Sequence, residues 1–128
     1  MNINLVICAF AKAAEDIYIH YLIIAILLDI ATGILKGIKQ KRLNSTIGVN
    51  GLVKHTAIIL LVCLTYPYLA LAEMGYLINA MLFFYISVYG ISVLENLEAI
   101  GVPFPSFIRK IFKQMREYTE NGSESRKR

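Results

Sequence analysis

The side chains most often used in catalysis and metal binding are few in this sequence and lie far apart. The two histidines are His20 and His55, and the two cysteines are Cys8 and Cys63. No pair among them has the spacing of metal ligands or of a nucleophile beside its base. A lone histidine at the end of an apolar run is usually an interfacial polar residue. The sequence therefore predicts no enzyme, no metal site and no cofactor.

A glycine-containing segment, 43–54, has to be compared with phosphate-binding loops. Its sequence is LNSTIGVNGLVK. Gly48 and Gly51 are not followed by the Gly-Lys-Ser/Thr ending that places a lysine on phosphate oxygens. The pair Asn50-Gly51 is instead typical of a turn. The segment therefore predicts a polar connection between two apolar runs.

Asp29 is the most informative single residue, because it interrupts a long apolar run. An ionisable residue inside a membrane span is by default a candidate for function. Ala25, Gly33 and Gly37 share its i, i+4 series, and small residues at this spacing let helices approach closely. The stripe has two interpretations. It lines an oligomer interface or a wet pore, or Asp29 is held by a partner inside a static three-helix bundle.

A second polar stripe lies on one face of a later apolar run. It consists of Tyr85, Tyr89, Ser92 and Asn96. The stripe could line water, or it could pack by hydrogen bonds against another helix, at about 0.6 kcal/mol per bond on average. Both hypotheses stay open at the level of sequence.

The composition indicates that these residues belong to a chain surrounded by lipid rather than by water. Hydrophobic residues make up 57% of the 128, and the mean hydropathy is +0.59. A soluble domain has about 45–50% apolar residues. The net charge is +4, and the basic residues flank the apolar runs, which fits anionic lipid headgroups better than nucleic acid. We therefore predict an integral membrane protein of one domain, with lipid rather than nucleic acid as its partner.

Three apolar runs are long enough to cross the hydrocarbon core, which takes about 20 residues. They are 17–38, 55–72 and 76–94. An acid at mid-helix costs about 2.5–3.5 kcal/mol, but about ten Ile and Leu at roughly −0.5 kcal/mol each offset the cost of Asp29. The predicted fold is an all-α membrane protein whose transmembrane domain, 17–100, has about three spans.

The segments that flank the spans predict surface structure. The N-terminal segment, 1–16, is too short to span and predicts a short interfacial helix. Residues 101–118 predict an amphipathic helix on the cytoplasmic membrane surface, followed by a disordered charged tail, 119–128. The basic face of that helix consists of Arg109, Lys110, Lys113 and Arg116. The alternative is that this helix packs against the cytoplasmic ends of the chain's own spans.

The distribution of lysine and arginine predicts the orientation. The basic residues of the first loop and its flanks are Lys36, Lys39, Lys41, Arg42 and Lys54. The segment after the third span is also basic, and the second loop has no basic residue. Three spans place both basic segments in the cytoplasm, with the N-terminus outside.

This topology also predicts which polar groups meet. Lys36 and Glu95 reach the inner interface at similar depth, so we expect them to pair within a subunit or between neighbours. Asp29 lies about 9–10 Å deeper than Lys36, at 1.5 Å per residue. We expect it to face Ser or Tyr groups, backbone or water.

Four segments, in order, resemble a known family. They are DIATGILK from Asp29, LNSTIGVNGLVK, SVLENL from Ser92 and GVPFP from Gly101. The second carries a loop motif formed by Asn44, Ser45, Gly48, Gly51 and Lys54. Over 28–116 the chain resembles the toxin-secretion and phage-lysis holin family, which includes phage holins of Gram-positive hosts and holin-like proteins of clostridial toxin loci. His55 departs from the pattern, since a second basic residue usually follows the lysine there; at most it makes that end of the loop partly pH-sensitive.

The resemblance implies a small protein that accumulates in the cytoplasmic membrane of a bacterial host. Such a protein oligomerises with itself and opens lesions in the membrane. An endolysin or toxin escapes through them, and it does not have to contact the protein directly. Two other hypotheses remain. One is a small ion- or proton-coupled transporter using Asp29 and Glu95, although no internal repeat with matching broken helices is apparent. The other is a non-conducting scaffold that binds a cytoplasmic partner through the basic tail.

Overall fold

The computed structural model describes residues 3–42, 44–108, 110, 111 and 114, and four helices account for most of them. The helices are α1 (Ile3–Glu15), α2 (Ile17–Lys39), α3 (Ser45–Leu71) and α4 (Gly75–Ile100). Three of them, α2, α3 and α4, are long and apolar enough to cross a membrane. The 23 residues of α2 measure about 35 Å, against a hydrocarbon core of about 30 Å. The predicted all-α fold with three spans is confirmed.

The outer surface of the three long helices is apolar. Large side chains such as Leu27, Leu60, Phe83 and Phe84 are each more than half exposed. In water such a surface would be unfavourable, but beside acyl chains it is the expected covering of a spanning helix. The helices therefore have apolar side chains both inside and outside the bundle.

The three long helices pack side by side and alternate in direction along the chain. Helix α2 packs mainly against α4 and runs parallel to it, so that Asp29 and Asn96, in their second halves, are in contact. Helix α3 runs antiparallel to both. This direction is shown by the hydrogen bond that Tyr66, near the end of α3, donates to Asp16 at the start of α2. The buried apolar core consists of Leu22, Ile26, Val62, Tyr66, Ile78, Leu82 and Tyr89.

The corner between α1 and α2 is held by Asp16. One carboxylate oxygen caps α2 by accepting from the Tyr18 backbone N–H at 2.9 Å, which satisfies a donor that the helix leaves free. The other oxygen accepts from the Tyr66 hydroxyl at 2.7 Å. One side chain thus ties α1, α2 and α3 together at the end of the bundle opposite to the basic loop.

Helix α4 is terminated by Gly101. Its φ of +97° is left-handed, and its N–H bonds the carbonyls of Leu97 and Glu98, at 3.2 and 2.9 Å. Glycine adopts this conformation at no steric cost, and the arrangement satisfies carbonyls at the helix end. The Lys39 ammonium donates to the Ile100 carbonyl and so joins the ends of α2 and α4.

The predicted connection over 43–54 is wrong from Ser45 onward. Helix α3 begins at Ser45, so Asn50 and Gly51 are helical and form no turn. The second apolar helix therefore begins well before the predicted boundary at His55. Turn signals compete with helical hydrogen bonds in water, but a backbone that enters lipid has to satisfy its own polar groups. Extending the helix outward from the span achieves this.

Two predicted surface segments stay predictions. The N-terminal segment is helical as α1, with Ile3, Ile7 and Phe10 exposed, and its placement at the membrane interface is not tested. Of the predicted amphipathic helix over 101–118, the structure describes 101–108, 110, 111 and 114; residues 102–105 have no regular secondary structure, and 106–108, 110, 111 and 114 are helical. Arg109, Lys113, Arg116 and the tail 119–128 lie outside the described residues, so the amphipathic surface helix stays a prediction. Lys110, which is described, is exposed.

Candidate functional site

Polar side chains from all three long helices meet inside the bundle, toward the end that carries the basic loop. We call them the polar cluster. Its members are Asp29, Thr32 and Lys36 of α2, His55 of α3, and Tyr89 and Asn96 of α4. Each helix contributes at least one member, so the cluster depends on the packing of the whole bundle.

Asp29 is 7% exposed and has partners on two other helices. His55 Nε2 lies 3.7 Å from one carboxylate oxygen, which is an ion-pair distance when the ring is protonated. The Asn96 side-chain amide donates to the other oxygen at 3.4 Å. An acid inside a span is costly without partners, and these two contacts lower that cost.

Asn96 is the residue that connects most of the cluster. Its oxygen accepts from the Lys36 ammonium at 3.2 Å, and its nitrogen donates to Asp29 and to Thr32 Oγ1, the latter at 3.3 Å. Gly33 lies beside Asn96: an added Cβ would be at an ordinary contact distance of 3.7 Å from the Asn96 nitrogen, so an alanine would fit there, whereas a larger side chain would push against Asn96. The small residue on α2 therefore leaves room for a polar residue of α4.

His55 and Tyr89 form the side of the cluster next to α3. Tyr89 is fully buried, and its hydroxyl lies 3.0 Å from His55 Nδ1. The Lys54 ammonium lies 5.5 Å from the centre of the Tyr89 ring, within the range of a cation–π contact. The imidazole thus has an acid at one nitrogen and a hydroxyl at the other, which orients the ring.

A half-open cavity of about 480 Å³ lies beside the cluster, where α2 faces the first turns of α3. Four glycines line it, namely Gly33, Gly37, Gly48 and Gly51. Its polar and basic lining consists of Asp29, Arg42, Asn44, Lys54, His55, Ser92 and Asn96. The loop motif and the stripe on α2, which are separate in sequence, thus meet at one cavity.

The two predicted stripes both face the interior of the chain's own bundle. On α2, Ala25 packs against the core and Gly37 lines the cavity. On α4, Tyr85 packs against the core and Ser92 lines the cavity. A role of these residues in a pore wall or between subunits stays a prediction. The side chain of Ser45 lies outside the described part of the chain.

The expected partners of the charged residues differ in the structure. Lys36 bonds to Asn96, while its expected partner Glu95 is exposed, and no ion pair joins Lys36 to Glu95 among the described residues. A pair between neighbouring subunits stays a prediction. Asp29 contacts a histidine and an asparagine, which were not among its expected partners; it also lines the cavity together with Ser92, and a contact with serine or water stays a prediction.

Sequence reasoning missed two members of the cluster, His55 and Thr32. His55 was expected at the interface, but it is 8% exposed and lies within the bundle. The signal was present, because an acid in one span requires a polar partner in another. The error in the start of α3 concealed it, since His55 then appeared to be a terminal residue.

This arrangement supports hydrogen bonding and interactions between charges. The described residues contain no group of three or more His, Cys, Asp or Glu that could hold a metal ion. Cys8 and Cys63 are free and exposed, away from the cluster. The site is therefore suited to holding helices together or to contacting a polar ligand.

Comparison with known proteins gives a consistent result. The model of the bacteriophage holin family matches residues 6–117. An uncharacterised protein of Clostridium perfringens is 38% identical over 80% of this chain and 77% of its own length. A probable holin of Bacillus phage phi105 is 33% identical over 71% of this chain and 68% of its own. No solved structure matches significantly. The resemblance found in the sequence is thus confirmed, and the chain belongs to the bacteriophage holin family.

Proposed function

We propose that this protein is a holin that oligomerises in the cytoplasmic membrane and permeabilises it, so that an endolysin or another secreted protein escapes. The observation that carries the proposal is the family match over residues 6–117, which covers all three spanning helices. The family is a non-enzymatic, membrane-permeabilising class. Release requires only the lesion, so direct contact with the released protein is not needed.

The bundle offers a physical route from a closed to an open form. Within one chain, Asp29 and Asn96 satisfy each other while apolar side chains face lipid. Separation of α2 from α4 would expose both residues, which is costly in lipid but not beside water. Several subunits that separate these helices together would line a wet lesion with the stripes on α2 and α4. The polar cluster then holds the closed form.

We also propose that the basic end of the bundle faces the cytoplasm and that the N-terminus lies outside. The support is the positive-inside rule, together with the parallel packing of α2 and α4, which puts Lys39 beside the end of α4. Single cysteines at Asn2 and Ser125, in a chain without Cys8 and Cys63, can be labelled with an impermeant reagent. Labelling of Ser125→Cys in intact cells would refute this orientation.

The function is tested by inducing the protein in a bacterial host and following membrane potential and culture density. A holin gives an abrupt collapse after a delay, whereas a scaffold or a coupled transporter gives none. A transporter that uses Asp29 and Glu95 gains no support from the structure, since Asp29 is buried in the cluster and Glu95 is exposed. A gradual or absent change in potential, with the protein present in the membrane, would overturn the proposal.

A matched pair of variants tests the role of the cluster. Asp29→Asn and Glu95→Gln each remove one negative charge near the same end of the bundle. Only Asp29 belongs to the cluster, so Asp29→Asn should change the time of collapse and Glu95→Gln should change it little. Equal effects of the two variants would show that net charge, not the cluster, controls the timing.

A further inference from the structure

The cavity between α2 and α3 is an unfilled space of the size of a ligand site. Its volume of about 480 Å³ lies within the roughly 300–1,000 Å³ of small-molecule pockets. Both walls carry glycines, with Gly33 and Gly37 on α2 and Gly48 and Gly51 on α3. A Cβ added to Gly48 or Gly51 would meet no atom within 4 Å. The chain's own side chains therefore leave this volume open.

The mouth of the cavity is positively charged. Arg42 and Lys54 line it and are exposed, and within the described residues neither forms an ion pair with an acidic side chain. The acid in the lining, Asp29, already has His55 and Asn96 as partners. A group bearing a negative charge at the mouth would thus meet two cations before it met the carboxylate.

The remaining wall is apolar and continuous with the lipid-facing surface. Ile34 and Leu52 line the cavity and are 51% and 63% exposed. Gly37 lies two residues before the end of α2 at Lys39, which is about 3 Å along the helix axis. The cavity therefore begins at the membrane interface and runs inward along an apolar side.

From these features we propose that the cavity binds the phosphate headgroup of one anionic phospholipid. Arg42 and Lys54 contact the phosphate, and the acyl chains lie along Ile34 and Leu52. Basic pockets between spanning helices on the cytoplasmic side are suited to such headgroups, and the placement of this cavity on that side rests on the orientation proposed above. A zwitterionic lipid carries an extra cation that the two basic residues repel, so the site distinguishes the two lipids. Membrane permeabilisation is a separate property, and neither requires the other.

The natural lack of tryptophan makes a clean fluorescence test possible. Leu52→Trp places a reporter at the cavity, and Leu60→Trp, also exposed on α3 but not lining the cavity, is the control. Each full-length protein is reconstituted in phosphatidylcholine vesicles with a minor fraction of acyl-brominated phosphatidylglycerol or acyl-brominated phosphatidylcholine. Stronger quenching by the brominated anionic lipid is expected at Leu52→Trp and not at Leu60→Trp.

Charge variants identify the groups that bind the phosphate. In the reporter background, Arg42→Gln with Lys54→Gln should lower the relative affinity for the anionic lipid about fivefold for each charge removed. The control, Lys12→Gln with Lys41→Gln, removes the same charge from residues that do not line the cavity. If the control loses as much, the preference comes from net charge and the proposed site is refuted.

A second pair of variants tests the space without changing the charge. Gly51→Leu adds a side chain at the cavity wall and should abolish the preference for anionic lipid. Gly90→Leu adds the same side chain at a helical glycine that does not line the cavity and where an added Cβ would meet no atom within 4 Å. It should leave the preference intact. An unchanged preference in Gly51→Leu would overturn the proposal even if the charge variants behave as expected.

Two further outcomes would assign the cavity to another occupant. Relief of the quenching by added inorganic phosphate would assign it to a soluble phosphate and overturn the lipid assignment. Equal, weak quenching of Leu52→Trp by both brominated lipids would indicate that a second copy of the chain covers it, which also contradicts the proposal. Dye release from the same vesicles is recorded separately. Its failure alone would contradict the holin function and leave the lipid site standing.

Discussion

Replacement of Asn96 by alanine is expected to weaken the contact between α2 and α4 more than any other removal of a neutral side chain from the cluster. Asn96 is 8% exposed and makes three side-chain hydrogen bonds, to Lys36, Asp29 and Thr32, all of them on α2. Interhelical hydrogen bonds in membranes contribute about 0.6 kcal/mol each on average and at most about 1.7. Their loss removes about 2 kcal/mol from the free energy of unfolding.

Two further effects of Asn96→Ala change the free energy of unfolding. Asp29 keeps His55 but loses its amide donor, and a buried polar group that loses a partner costs about 1–3 kcal/mol. Alanine has a higher helix propensity than asparagine, which returns roughly 0.5 kcal/mol. The expected net loss for Asn96→Ala is therefore about 2.5–4.5 kcal/mol.

Pulse proteolysis of the purified protein in mixed micelles, with an increasing fraction of sodium dodecyl sulfate, measures this loss as a shift of the unfolding midpoint. The matched control is Asn79→Ala, the same change at an exposed position near the other end of α4. This control should shift the midpoint only slightly, by an amount that corresponds to less than about 0.5 kcal/mol in the free energy of unfolding. If Asn96→Ala and Asn79→Ala shift the midpoint equally, Asn96 does not hold α2 against α4, and the arrangement of the cluster is refuted.

Three further predictions address single contacts. Tyr89→Phe removes the hydroxyl that contacts His55 but keeps the buried ring, so the free energy of unfolding in the same micelle assay should fall by about 1 kcal/mol; an unchanged midpoint would contradict this contact. Gly33→Ala adds a Cβ at an ordinary contact distance of 3.7 Å and should be tolerated, whereas Gly33→Leu should push α4 away and make α2 more sensitive to protease; equal sensitivity of both variants would contradict the close approach. Gly101→Ala has to adopt a φ of +97° and would approach the Lys39 ammonium at 3.1 Å, so unfolding should become easier by about 1–2 kcal/mol; Gly75→Ala, whose added Cβ meets no atom within 4 Å, is the control.

Local features of the sequence were sufficient for the fold class. Hydropathy over about 20 residues depends only on composition, and composition decides whether a segment partitions into lipid. The break after α4 was also visible, because Gly101 and the two prolines that follow cannot continue a helix. The four motif segments led to the correct family for the same reason, since each is a short run that is read without knowledge of contacts.

The start of α3 shows where local reasoning was insufficient. Asn50-Gly51 is a turn pair in water, yet both residues are helical here. The deciding factor is the surroundings of the backbone, since a helix that leaves lipid extends as long as its polar groups gain more from each other than from water. Propensity of a dipeptide is too weak to end such a helix.

The partners of Asp29 were decided only by the tertiary structure. The sequence placed an acid in one span and polar residues in another, and it predicted that Asp29 needs a partner. Which side chain meets it depends on the rotation of α2, α3 and α4 about their axes. In spans that are apolar on nearly every side, no hydrophobic face marks that rotation. Close packing across Gly33 brings Asn96 to Asp29, and the added turns of α3 bring His55, so residues 26 and 67 positions away complete the site.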